Sequence, residues 1–158
     1  MKGNDRIIRE LNNRLREELT AINQYFVHAE ECENWGYRRL AEVIKARAIT
    51  EMRHAEALIE RILFLEGSPI VSELDPINIG KDVKSIHEND LQAEYAADRA
   101  YNETIKLAQE VGDNGTKVLL EGILKDEEEH IDWLEAQLDQ INQMGLENYL
   151  TEQIKEEG

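Results

Sequence analysis

Glu51-Met52-Arg53-His54 and Glu127-Glu128-Glu129-His130 carry the same Glu-x-x-His pattern, 76 residues apart. A lone glutamate stands 33 positions before each copy, Glu18 before the first and Glu94 before the second. Tyr25 and Tyr101 keep the 76-residue offset, as do Gly36 and Gly112. Residues three apart on a helix project from one side of it, so each Glu-x-x-His offers an oxygen and a nitrogen ligand to a common point. Four carboxylates and two imidazoles, repeated at one offset, predict a duplicated helical hairpin that holds two metal ions.

Outward from these motifs the periodicity is helical nearly throughout. A first helix is predicted from about Asp5 to Trp35, with Ile8, Leu11, Leu15, Glu18, Ile22, Tyr25 and Ala29 on one face, and Gly36 breaks it. A second runs from Arg38 to Leu65 and ends at Gly67. Both prolines, Pro69 and Pro76, fall in the aperiodic stretch from Ser68 to about Lys81, which reads as a long crossover. A third helix spans Val83 to Val111, Gly112-Asp113-Asn114-Gly115 makes a tight turn, and a fourth runs from Thr116 to Met144. Gly145 caps it, and a short fifth helix covers Leu146 to Lys155. Two tight hairpins joined by one long connection predict an all-α four-helix bundle with a single crossover, in one domain over residues 1–158. Glu18 and Glu51 lie about 23–27 Å from the Gly36 turn at 1.5 Å per residue, hence at similar height on antiparallel partners.

The charge balance is 34 acidic against 18 basic residues, a net −16. Phosphate contacts need Lys and Arg, so nucleic acid is excluded as a partner. An acidic field instead draws cations inward. Hydrophobic residues make up 41% of the chain at a mean hydropathy of −0.59, and no apolar run approaches the roughly 18 residues of a membrane span. The start, Met1-Lys2-Gly3-Asn4-Asp5-Arg6, has no apolar signal core, and the single Cys32 allows no internal disulfide. Both observations fit a reducing cytoplasm.

One Glu-x-x-His on an acidic helix is a common accident. Here six candidate ligands, Glu18, Glu51, His54, Glu94, Glu127 and His130, interrupt the apolar stripes of their helices. Four carboxylates buried together without a cation would repel one another and be driven to protonate. Mixed oxygen and imidazole donors suit Fe or Mn. Tyr25 lies two turns from Glu18 on the same face, where it either hydrogen-bonds a ligand carboxylate, supplies an electron, or is simply a packed aromatic. Trp133 reads as core or interface packing. His28 and His87 lack companions and are expected on the surface.

The chain also resembles the bacterioferritins over its whole length. The likeness is carried by Met1-Lys2-Gly3, Ala21-Ile22-Asn23-Gln24-Tyr25-Phe26, Glu60-Arg61-Ile62-Leu63-Phe64-Leu65-Glu66-Gly67, Asp126-Glu127-Glu128-Glu129-His130-Ile131-Asp132-Trp133 and the tail from Gly145 to Gly158. The resemblance implies a ferritin-like fold, iron storage as a ferric mineral in a homo-oligomeric shell of 24 chains, and a ferroxidase site at the six ligands. It further implies a haem shared between two subunits, with a methionine from each as axial ligand, and a small ferredoxin as electron donor for iron release.

The family's haem methionine falls on Met52, with Leu19, Asn23, Phe26, Ile49, Arg53 and Ile59 around it and Lys45 and Arg53 placed to pair with propionates. Read from residues alone, the second apolar stripe through Ile49, Met52 and Ile59 is a dry dimer contact with Met as filler. Non-haem ferritins usually lack a histidine at the position of His130 and a methionine at that of Met52, and rubrerythrins need paired cysteines. Some bacterioferritins carry an inner-surface iron site made from a His and an Asp, whereas this chain has Lys45-Ala46-Arg47-Ala48-Ile49-Thr50 there. Iron is therefore expected to pass through the di-iron site, by movement of His130. Two competing readings are a di-metal oxidase or peroxidase without a storage shell, and a purely structural or electron-carrying bundle.

Overall fold

A computed structural model describes residues 1–155, so residues 156–158 at the end of the tail lie outside it. Five helices follow in order: α1 (Asp5–Asn34), α2 (Arg38–Phe64), α3 (Val83–Glu110), α4 (Asn114–Met144) and α5 (Leu146–Gln153). The ferritin-like bundle with one crossover is present, and α5 ends at Gln153, two residues before the predicted Lys155. α1 packs along α2 and α3 along α4, and the two hairpins meet chiefly through α1 and α3. No helix of the structure is long and apolar enough to cross a membrane among the described residues.

The helix ends follow local chemistry. The Asn4 side chain accepts from the backbone N–H groups of Arg6 and Ile7, and Asp82 with Ser85 forms a reciprocal capping box at the start of α3. Gly36 and Gly112, equivalent in the two hairpins, both take positive φ (85° and 77°) to turn the chain. α4 starts at Asn114, two residues before the predicted Thr116. The cause is Asp113, whose carboxylate accepts from the Thr116 backbone N–H at 3.0 Å and its hydroxyl at 2.6 Å. The Arg61 guanidinium also donates to Asp113 at 2.9 Å, and it passes so close to Gly115 that a Cβ there would sit 2.6 Å from Nη2. Gly115 thus marks a close approach inside the helix, where a turn is predicted.

Apolar side chains form two clusters, one toward each end of the bundle. Ile7, Leu11, Leu15, Leu58, Ile62, Leu107 and Leu120 fill one end. Ala29, Cys32, Leu40, Ile44, Ile86, Ile141 and Tyr149 fill the other. The six candidate ligands lie in sequence between these clusters on every helix, as a polar layer across the bundle.

The crossover is tied to α1 by a ladder at four-residue spacing. The Asn12 side chain bonds Ser68 O and the Ile70 N–H, Arg16 pairs with Asp75 at 2.9 Å, and Thr20 accepts from the Asp75 N–H at 2.9 Å. Gln24 accepts from the Asn78 N–H at 3.0 Å and His28 from the Gly80 N–H at 2.9 Å.

His28 and His87 are fully buried, which corrects their expected surface placement. His28 Nε2 takes the Gly80 N–H, so its proton sits on Nδ1 and goes to Asp90 Oδ1 at 2.8 Å. His87 Nε2 lies 3.0 Å from the Tyr149 hydroxyl, which itself donates to Gln137, and the His87 ring meets Trp133 edge-on at 5.5 Å. Burial pushes His87 down to about 4, keeping it neutral. Each partner sits 62 residues away on another helix, which sequence spacing within one helix does not reveal. Asp90 also accepts from Gln24 at 2.9 Å. Asp90→Ala strands both donors and is expected to cost about 3 kcal/mol in urea unfolding of the metal-free protein.

Candidate di-metal centre

Two overlapping groups of buried side chains assemble in the polar layer. Glu18, Glu51, His54 and Glu127 form one, and Glu51, Glu94, Glu127 and His130 the other. Within each group one ligand atom from every residue lies within 4.8 Å of the rest. All six residues singled out by the 76-residue offset are therefore brought together. Each pocket takes the lone glutamate and the Glu-x-x-His of its own hairpin and borrows one glutamate from the other hairpin. Glu51 and Glu127 are common to both.

Distances define the two halves. His54 Nδ1 faces Glu127 Oε1 at 3.0 Å, Glu51 Oε2 at 3.4 Å and Glu18 Oε2 at 3.5 Å. His130 Nδ1 faces Glu51 Oε1 at 3.2 Å and Glu94 Oε1 at 3.4 Å. The outer nitrogens differ. His54 Nε2 is held by Asp126 Oδ2 at 2.8 Å, whereas His130 Nε2 is buried without a hydrogen-bond partner among the described residues. A carboxylate on the far nitrogen fixes the tautomer and aims the near one inward. Thr50, which stands at the position equivalent to Asp126, turns its hydroxyl to Ala46 O at 3.2 Å.

Among the described residues four buried ligand oxygens have no hydrogen-bond partner, Glu18 Oε2, Glu51 Oε1, Glu94 Oε2 and Glu127 Oε1, and neither has the outer nitrogen His130 Nε2. Glu127 Oε1, although near His54 Nδ1, is out of hydrogen-bond alignment with it. Orphaned buried acceptors of this kind are costly unless a cation or proton satisfies them. The metal-free centre answers with protons. Burial, and then the Glu18 charge, hold Glu51 well above the usual carboxylate range; burial and the Glu51 charge do the same to Glu127. Burial also pushes Glu94 upward, but hydrogen bonds with Glu127, His130 and Tyr25 outweigh it and leave Glu94 lowered. For His54, burial opposes the charge, yet contacts with Glu127 and Glu18 prevail and lift it to about 11. Divalent cations entering here would displace those protons, and the donor set of carboxylate oxygens and imidazole suits Fe²⁺ or Mn²⁺.

Tyr25 donates its hydroxyl to Glu94 Oε1, on the other hairpin from its same-face neighbour Glu18. Tyr101 donates to Glu18 Oε1 at 2.6 Å. Sequence reasoning did not place Tyr101 in the site, although the 76-residue offset from Tyr25 is the signal that marks it. A cleft of about 430 Å³ between α1, α3 and the crossover, lined by Thr20, Gln24, Asp75, Asn78 and Asn89, leads onto Glu18, Glu51, Glu94 and Glu127.

The predicted haem residues form a separate surface on α1 and α2. Met52 is 47% exposed and Ile49 38%. Leu19, Phe26 and Ile59 are half-buried beside this face, and Asn23, Lys45 and Arg53 are exposed. An exposed thioether on an apolar patch has the soft donor chemistry that a haem iron accepts.

The ferritin-like domain family matches residues 8–144. The bacterioferritin of Brucella melitensis is 44% identical over 94% of this chain and 92% of its own length. That of Mycolicibacterium paratuberculosis is 44% identical over 94% of each chain. The bacterioferritin of Rhodobacter capsulatus is 42% identical over 94% of this chain and 92% of its own.

Proposed function

This chain belongs to the bacterioferritins, and from that premise we propose that it stores iron by oxidising Fe²⁺ at the two pockets and depositing it as a ferric mineral inside a 24-chain shell. The observation that carries the reading is the pair of overlapping ligand groups, with four buried carboxylate oxygens left unsatisfied among the described residues. Iron is the substrate, and two bound Fe²⁺ ions give up electrons to dioxygen or peroxide. The chain supplies the rest. Glu51 and Glu127, common to both pockets, bridge the ions, while Glu18 with His54 and Glu94 with His130 hold them from outside. The cleft beside Thr20 and Asn89 admits ions and oxidant to the carboxylates.

Asp126 anchors His54, and among the described residues no comparable group holds His130 Nε2. His130 is therefore the ligand free to swing aside and release iron toward the shell interior. The absence of a His–Asp pair at Ala46 and Thr50 makes that route the main one.

Met52, within the face formed with Leu19, Phe26, Ile49 and Ile59, would hold a haem between two copies of the chain. Arg53 and Lys45 would meet its propionates. When bound, haem would relay electrons from a small ferredoxin to the mineral so that Fe²⁺ leaves. The whole of 1–158 acts as one di-iron domain, placed in the cytoplasm.

The cleft would equally serve an oxidase of small substrates that needs no shell, and particle mass separates the two. Aerobic Fe²⁺ added to purified protein is expected to give ferric-loaded particles of 24 chains. His130→Ala should assemble but lose rapid oxidation, and Met52→Ala should lose the Soret band alone. A chain that stays small and fails to accumulate iron overturns the storage reading.

A further inference from the structure

Two phenols enter the ligand layer beside the six metal-directed groups. Each crosses from one hairpin to the other: Tyr101 on α3 donates to Glu18 Oε1 on α1 at 2.6 Å, and Tyr25 on α1 donates to Glu94 Oε1 on α3. Both rings are buried, and each hydroxyl donates to its carboxylate. Each therefore occupies one oxygen of its glutamate and leaves Oε2, the atom without a hydrogen-bond partner, as the free one. Among the described residues no phenol donates to Glu51 or Glu127, the carboxylates common to both pockets.

A carboxylate with both oxygens free can chelate or bridge two cations. One whose first oxygen already accepts a charge-assisted hydrogen bond has a lone pair committed there, which favours ligation through its other oxygen. The phenols thus set Glu18 and Glu94, each held by a group outside the ligand set, apart from Glu51 and Glu127, whose close neighbours include the ligand imidazoles themselves. We infer that Tyr101 is a positioning residue for the Glu18–His54 pocket, holding Glu18 as a single-oxygen ligand, and that Tyr25 is its counterpart for the Glu94–His130 pocket. This rests on the reading that the two groups bind metal. Hydrogen-bonded partners of ligands typically set metal affinity by about 10- to 100-fold. Phenylalanine fills the same space, so the hydroxyl can be removed with the ring kept in its apolar cluster.

The test is an anaerobic Co²⁺ titration of the metal-free shell, read by the visible absorption of histidine-bound Co²⁺, which involves no iron turnover. The wild-type chain should bind two ions. Tyr101→Phe should weaken one of the two steps by about 10- to 100-fold and leave the other unchanged. In a His54→Ala background the same change should have no further effect, whereas in a His130→Ala background it should weaken the one pocket that remains. Tyr25→Phe tests the inference independently, with the two backgrounds exchanged. Unaltered Co²⁺ affinities in both phenylalanine variants, with or without a lower melting temperature, overturn the positioning role. So does an equal effect in both histidine backgrounds. Failure of the wild-type chain to bind Co²⁺ would instead remove the metal reading on which the inference stands.

Discussion

Alanine at Glu51 or at Glu127 is expected to abolish tight binding of both metal ions and to slow Fe²⁺ oxidation by at least about 100-fold, a loss of several kcal/mol of charge stabilisation. The reason is the sharing: both residues belong to both ligand groups, so one substitution strips a donor from each pocket at once. Glu18→Ala or Glu94→Ala removes a donor from a single pocket. Oxidation, which needs the pair of ions, is lost in all four variants, but Co²⁺ stoichiometry separates them. The lone-glutamate variants should keep one tight ion per chain and the shared-glutamate variants none. Stopped-flow absorbance after mixing with Fe²⁺ in air, beside that titration, makes the measurement. A Glu127→Ala protein that still binds one ion tightly would show that the pockets are independent.

The second large effect concerns the protein without metal. Glu51 and Glu127 are raised well above 4.5 in the folded chain, so between that value and their raised pKa the folded state holds protons that the unfolded state has lost. Stability must then fall as pH rises from about 5 through neutrality. His54 acts in the same direction: raised from 6.5 to about 11, it stabilises fully below 6.5 and loses that contribution as pH climbs through 11. Glu94, which is lowered, contributes above 4.5 and loses its share only at acid pH. The metal-free protein should therefore melt at higher temperature near pH 5 than near pH 8, and Glu51→Gln with Glu127→Gln should flatten that slope.

Divalent ions reverse the penalty. Ligand at a thousandfold above Kd contributes about 4 kcal/mol per site. At about 2–4 °C per kcal/mol for a chain of this size, loading both sites at neutral pH should raise the melting temperature by about 15–30 °C. A metal-free protein whose melting temperature rises steadily with pH would contradict the protonation scheme.

Much of this was legible in the sequence because duplication writes the same feature twice. The 76-residue offset picks out Glu18 with Glu94, Glu51 with Glu127 and His54 with His130, and helical spacing then places each on an inward face. What stayed hidden depends on contacts between hairpins. His28 reads as a lone surface histidine until Asp90 and the Gly80 N–H close around it. Tyr25 has Glu18 as its same-face neighbour along the chain, yet its hydroxyl goes to Glu94. Asp126 looks like one more charge in an acidic run, and only the fold sets it against His54 Nε2. The start of α4 was missed because Asn114 and Gly115 have turn composition, while Asp113 and Arg61 decide the conformation.

Each pocket borrows a carboxylate from the opposite hairpin, so neither half of the molecule is self-sufficient. Two separate copies of one hairpin could in principle build the same centre, but only after a bimolecular encounter whose outcome would depend on dilution. Tethering the halves makes that encounter intramolecular and fixes their ratio at one to one. The crossover, pinned along α1, thus guarantees that no chain is made with half of its chemical equipment.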